Sequence, residues 1–189
     1  MDAAKLQAVA DRLGCDLPAL QAVAEVESSG VTFWDIDGAQ VPPVRLEAHW
    51  FGKLTDYAYN DNHPQISSTD WNPALAAKTQ AGAYAQYDEA AKLNPAAAIE
   101  ACSWGATQIM GFHYSKLGYA TPQAFLQDQQ TEEGQLECFA RFLEIDGGMK
   151  ASLQLHAWKD FARRYNGTGQ IDYYANKLAQ AYYNHGGRE

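Results

Sequence analysis

The stretch Asp16-Leu17-Pro18-Ala19-Leu20-Gln21-Ala22-Val23-Ala24-Glu25-Val26-Glu27-Ser28-Ser29-Gly30 reads as a short amphipathic helix with one residue out of place. Asp16 is a suitable N-cap, Pro18 is tolerated in the first turn because its missing N–H has no helical partner there, and Gly30 ends the run. At about 100° per residue, Leu17, Leu20, Val23 and Ala24 gather on one face. Glu27 falls in the middle of that same face, whereas Glu25 points to the opposite side and reads as a solvated charge. A carboxylate on an apolar stripe at a helix C-terminus is disfavoured by desolvation and by the helix dipole alike. Both raise its pKa, which is what a general acid working at neutral pH requires. A buried arginine or a local backbone cap would also account for such a glutamate, so position alone leaves both readings open.

Outward from this helix the chain is mostly helical. Residues 3–13 carry Leu6, Val9, Ala10 and Leu13 on one stripe, closed by Gly14. After Gly30 the texture changes: Val31 to Ile36 is strand-like, Asp37-Gly38 is a hairpin signal, and Val44-Arg45-Leu46-Glu47 is the expected returning strand. Pro42-Pro43 makes this a small, irregular ribbon. A short helix is expected near 48–57, followed by a polar loop from Asn60 to Asn72. Further helices are expected near 79–93, after Asn94-Pro95, after Thr121-Pro122, from Thr131, and near 153–165 and 172–183. The Thr131 helix has Glu132 and Glu133 in its first turn, where the dipole favours them, and should bury Leu136, Phe139, Ala140 and Leu143. No linker or internal repeat divides the chain. The expected fold is mainly α, with a small irregular β-hairpin near residues 31–47, in one domain spanning residues 1–189.

Composition narrows the function classes. A chain of 189 residues with 47% hydrophobic and 20% charged residues is a globule and not a disordered segment. The 23 acidic against 14 basic side chains leave a net charge of −9, opposite to what a duplex-binding protein needs to displace counterions, so no nucleic-acid partner is expected. That charge is also awkward for a protein that meets an anionic polymer. No signal-type or membrane-spanning apolar run occurs, so the chain is expected to be made as a soluble cytosolic protein with no membrane insertion. Cys15, Cys102 and Cys138 form neither a C-x-x-C nor a disulfide framework and read as free thiols, and the histidines lack metal-binding spacing. No metal and no cofactor is expected.

Three motifs stand in order along the chain: Glu27-Ser28-Ser29-Gly30, then Ser103-Trp104-Gly105-Ala106-Thr107-Gln108-Ile109-Met110, then Ala162-Arg163-Arg164-Tyr165-Asn166-Gly167. Together they resemble the lysozyme-like superfamily shared by goose-type lysozymes and soluble lytic transglycosylases. The match is closer to the bacteriophage N-acetylmuramidases, or endolysins, through Ala22 to Gly30, the Asp37-Gly38 turn, Leu46 to Phe51, and Ser103 to Gly111. The resemblance covers roughly residues 15–183. It implies a lysozyme-like α+β fold and cleavage of the β-1,4 bond between N-acetylmuramic acid and N-acetylglucosamine, with peptidoglycan glycan strands as the partner and a monomeric enzyme. It also implies a protein made in the host cytoplasm that reaches the wall in the periplasm through a holin-type lesion. Ala106-Thr107 departs from the bulkier transglycosylase pattern, which suggests an altered subsite wall.

Glycoside hydrolysis needs an acid and usually a second carboxylate. Helix position and resemblance both make Glu27 the acid. For the second role the candidates are Asp35, Asp37 and Glu47. Glu47 is kept for substrate binding or water positioning because, with Val44 and Leu46 packed inward, it shares with Arg45 the strand face that would border the cleft, although a plain surface pair with Arg45 or His49 would leave the same trace. The resemblance sets Ser28, Asp37, Trp104, Gln108, Tyr165 and Asn166 along the substrate. An amide such as Gln108 can hold an acetamido group, and the Tyr165 hydroxyl can bond the acid. Asp37 could equally serve only the turn, Gln108 and Tyr165 only packing, and Asn166 only a helix cap with Gly167. Of the tryptophans Trp34, Trp50, Trp71, Trp104 and Trp158, Trp104 is the expected sugar platform. A lytic transglycosylase using the same glutamate, a related chitinase, a non-catalytic cell-wall-binding protein, and a helical protein that binds another protein through its acidic face are the alternatives. If binding to the wall proves salt-sensitive, Arg163 and Arg164 are the expected basic patch.

Overall fold

The computed structural model describes residues 2–28 and 31–188. Its elements in order are α1 (Ala3–Leu13), α2 (Leu17–Ser28), β1 (Trp34–Ile36), β2 (Ala39–Val41), β3 (Val44–Leu46), α3 (Ala48–Leu54), α4 (Gln80–Leu93), α5 (Pro95–Glu100), β4 (Cys102–Trp104), β5 (Ile109–Met110), α6 (Pro122–Gln129), α7 (Glu132–Ile145), α8 (Gly147–Gln154), α9 (Trp158–Tyr165) and α10 (Ile171–Asn184). The fold is mainly α with a small β part, as the residue pattern implied. Contacts gather into two compact units: the chain up to Thr32 together with everything from Glu132, and Phe33–Thr131. Among the described residues no helix is long and apolar enough to cross a membrane.

The first unit is all helix. The Asp2 side chain caps α1 by accepting from the Ala4 and Lys5 amides, and Gly14 ends it in the left-handed region at φ 67°, where glycine pays no Cβ penalty. Helices α2 and α9 pack on α10, and α1 packs on α7. Leu6, Leu13, Leu20, Val23, Phe139, Leu143, Phe161 and Leu178 are buried in this unit. Each such side chain contributes roughly 1.5–3 kcal/mol by leaving water. Helix α7 buries the four residues expected of it. Helix α8 is a correction, since the expected helix near 153–165 begins only at Trp158. Gly147-Gly148 looks like a breaker, yet the Asp146 carboxylate caps the turn by accepting from the Gly148 and Met149 amides at 2.8 and 3.2 Å.

The second unit holds the β elements, and here the strand pairing departs from expectation. β1 returns directly as β2, with Ile36 opposite Ala39. Asp37 and Gly38 both have positive φ, 53° and 84°, as a two-residue primed turn demands, and such a turn fixes the register at once. Pro42 and Pro43 donate no N–H and end that ladder. β3, expected as the return strand, pairs antiparallel with β4 far downstream, Val44 opposite Trp104 and Leu46 opposite Cys102, and β4 pairs with β5. The helices after Thr79, Asn94 and Thr121 start where expected, each side chain capping a backbone N–H of its helix. The three cysteines are free; Cys102 and Cys138 are buried, and burial pushes the half-buried Cys15 thiol up to about 11.

Candidate active site

Glu27 occupies the last turn of α2, which ends at Ser28. Asn166 is the C-cap of α9; its N–H donates to Ala162 O at 2.8 Å, and Gly167 follows with φ 81°. This geometry ends the helix with the Asn166 side chain directed at Glu27, and Nδ2 donates to Glu27 Oε1 at 2.9 Å. The Asn166 Oδ1 is buried without a hydrogen-bond partner among the described residues. Burial holds the Glu27 carboxyl above the usual glutamate range, opposed by the Asn166 hydrogen bond and then by the positive charge of Lys177 on α10. Those influences match the desolvated position read from the helix wheel. Lys177 was not singled out by sequence reasoning, because nothing local ties α10 to α2.

The other residues of this unit divide clearly. Glu25 is exposed and paired with His185 at 2.7 Å. Tyr165 contributes its ring to an aromatic cluster, stacked on Phe161 with centroids 5.3 Å apart and edge-on to Phe142 at 5.4 Å. The Ser28 side chain, and Ser29-Gly30 with it, lie outside the described residues. Arg163 and Arg164 form no open basic patch: both pair with Asp160, and Arg164 also reaches Asp146 at 3.1 Å.

In the Phe33–Thr131 unit, β3 buries Val44 and Leu46 and leaves Arg45 outward. Glu47 occupies the N-cap position of α3 without a side-chain cap bond, and its Oε1 lies 3.1 Å from Arg45 Nε and its Oε2 3.7 Å from His49 Nδ1. Asp35 is committed to the hairpin, accepting from Gly38 N and Gln40 Nε2 at 3.0 Å each. Asp37 stands exposed at the hairpin turn. Trp104 corrects the expected sugar platform. Its side chain is 1% exposed, its indole N–H donates to Ile99 O at 3.0 Å, and Tyr87 meets it edge-on at 4.9 Å. Strand β4 sits inside its sheet between β3 and β5, so this ring is a core anchor. Ala106 and Thr107 are likewise buried and form no surface wall.

Gln108 sits at φ 51° between β4 and β5. Its Oε1 accepts from the Ser103 hydroxyl at 2.9 Å and its Nε2 donates to Gly105 O at 3.0 Å, so the amide pins the turn. It also borders a groove of about 410 Å³, whose other lining residues include Trp34, Arg45 and Lys78. Trp34, 44% exposed, is the accessible indole here. Its place just before the Asp-Gly turn is the only local signal that could have singled it out.

Comparison with known proteins finds matches over most of the chain. A sequence model of the N-acetylmuramidase family matches residues 16–186. The crystal structure of the Burkholderia AP3 phage endolysin superposes with a TM-score of 0.83 at 36% identity, covering 98% of this chain and 70% of that one. No curated protein sequence matches the chain.

Proposed function

The chain belongs to the N-acetylmuramidase family, and from that premise we propose that it hydrolyses the β-1,4 bond between N-acetylmuramic acid and N-acetylglucosamine in peptidoglycan. The observation that carries the reading is Glu27, a carboxyl on the apolar face of α2 whose burial favours its protonated form. A glycosidic oxygen must receive a proton as its bond to the anomeric carbon breaks, and a carboxyl whose acid form is favoured by burial is suited to supply it. Asn166 donates to Oε1, which leaves the acidic proton on Oε2 and fixes the direction of transfer. Water then adds its hydroxyl to the anomeric carbon, and its remaining proton returns through solvent to the Glu27 carboxylate that gave one to the leaving oxygen. We assign orientation of that water to Glu47, held by Arg45 at 3.1 Å. Ser28, Asp37, Tyr165 and Gln108 remain proposed substrate neighbours, Gln108 through the shape of its turn. The family match runs through both compact units, which supports reading the chain as one catalytic domain. Release through a holin-type lesion belongs to the same reading, by likeness to a phage endolysin.

The test is digestion of purified peptidoglycan by wild type and Glu27→Gln, with mass analysis of the products. Wild type should yield reducing muropeptides. Glu27→Gln should keep the wild-type circular dichroism and lose roughly 100-fold or more of the activity. Retention of more than about a tenth would remove Glu27 from the acid role, and 1,6-anhydro products would replace hydrolysis by transglycosylation. Glu47→Gln tests the second carboxylate and should lower kcat with KM little changed.

A further inference from the structure

We propose that the groove of the Phe33–Thr131 unit binds a pyranose bearing a carboxylate, and that Arg45 and Lys78 tell such a sugar from a neutral one. The groove is about 410 Å³, within the range of small-molecule sites. Among the described residues Arg45 and Lys78 are the only charged side chains that line it, in a chain with 23 acidic and 14 basic residues. Elsewhere Lys5, Arg12, Arg141, Lys159, Arg163 and Arg164 pair with carboxylates, as Arg45 itself does with Glu47. A second groove, of about 360 Å³ beside α10, sets Lys177 against Glu25 and has no such bias.

The polar groups of the groove divide into those already engaged and those that are not. Gln80 Oε1 accepts from Val44 N, and Gln86 Nε2 donates to Gln65 O and Leu75 O. The Gln108 amide is committed to its turn. These amides stiffen the wall. Glu47 takes Nε of Arg45 at 3.1 Å, and the arginine side chain is 48% exposed; this contact orients the guanidinium and leaves its terminal amino groups for a ligand. Lys78 has no ion-pair partner among the described residues. A guanidinium fork and an ammonium lining one groove suit a carboxylate, and the exposed Trp34 indole offers a flat face for the C–H side of a sugar ring.

This inference rests on the muramidase reading for its natural ligand. N-acetylmuramic acid differs from N-acetylglucosamine by a lactyl ether, whose carboxyl is either free or extended by a peptide carrying carboxylates of its own. The test measures binding by calorimetry to the 189-residue Glu27→Gln chain, which should not turn the ligand over. The ligands are peptide-bearing glycan oligomers, the same oligomers stripped of peptide, and chitin oligomers of equal length. The proposal expects Arg45→Gln/Lys78→Gln to weaken binding of the carboxylate-bearing oligomers about tenfold or more, the scale of a charged hydrogen bond. Chitin-oligomer binding should stay within about twofold of its starting value on the same reasoning. Lys78→Gln alone, which breaks no hydrogen bond or ion pair among the described residues, should produce part of the loss. A loss confined to peptide-bearing ligands identifies the peptide carboxylate as the partner, and one confined to stripped ligands identifies the lactyl group. Equal loss for chitin, no loss for either, or no measurable binding of the acidic oligomers overturns the proposal. Failure of wild type to digest peptidoglycan would overturn the muramidase reading and leave this binding result standing on its own.

Discussion

At Glu27 two influences oppose one another: burial favours the acid, and the Asn166 N–H and the Lys177 charge favour the anion. Removing Asn166 as donor therefore raises the Glu27 pKa further. A general acid works protonated, so Asn166→Ala should move the alkaline limb of the kcat/KM–pH profile to higher pH. Lys177→Gln should move it the same way by less, because its influence is the smaller; an unmoved limb in both would break the link between these groups and the acid. The same shift has a consequence for stability. A carboxyl whose folded pKa lies above its usual 4.5 binds its proton more tightly in the fold, so its stabilisation is complete below that value and is lost as pH rises through the folded pKa. Glu27→Gln escapes this loss. It should melt with wild type at low pH and above it at neutral pH, with each kcal/mol worth about 2–4 °C in a chain of this size. An equal melting temperature across the whole range would deny the desolvation argument. The helix wheel made the odd position of Glu27 legible, because its neighbours lie within two turns. It did not reveal which group meets the carboxylate: the Tyr165-Asn166 pair was in view, and only the cap geometry of α9 directs Asn166 to it.

Helix boundaries were largely legible because caps and periodicity act within a few residues. Asp2, Thr79, Asn94 and Thr121 all cap as their types suggest. Strand partners were not legible, since a three-residue strand has no local preference strong enough to choose a mate. The Asp37-Gly38 turn drew Ala39–Val41 into the hairpin and freed Val44–Leu46 for Cys102–Trp104. Two glycines test this description. Gly38 has φ +84° with nothing within 4 Å of an added Cβ, so Gly38→Ala should cost about 1–2 kcal/mol, the left-handed penalty alone. At Gly111 an added Cβ would lie 2.0 Å from Ile99 O, a backbone atom that moves only with α5. Gly111→Ala should cost about 3 kcal/mol or more through overpacking. Urea titration of both variants checks the order, and a milder effect at Gly111 would contradict the packing of α5 on this turn.

Over the whole molecule the charge of −9 means that long-range attraction does not draw the protein to an anionic wall. Binding to insoluble peptidoglycan should fall only modestly from about 0.05 to 0.5 M salt, where the Debye length shrinks to a few ångströms. Whatever salt dependence exists should fall in Arg45→Gln/Lys78→Gln, chiefly through Lys78, and persist in Arg163→Gln, because Arg163 is paired with Asp160 whereas Lys78 has no ion-pair partner among the described residues. A steep dependence that survives both would place the attraction elsewhere. The sequence by itself determined the helices, their caps, the misplaced glutamate and the ordered motifs that mark the family. All of these depend on residues a few positions apart or on identity along the chain. Tertiary structure decided that Trp104 is core and Trp34 is not, that Arg163 and Arg164 are spent on aspartates, and that Asn166 and Lys177 converge on Glu27. Desolvation, ion pairing and strand choice depend on what arrives from distant segments, and the first unit itself joins the two ends of the chain. No local pattern carries that information, because the neighbour that sets the energy is absent until the chain has folded.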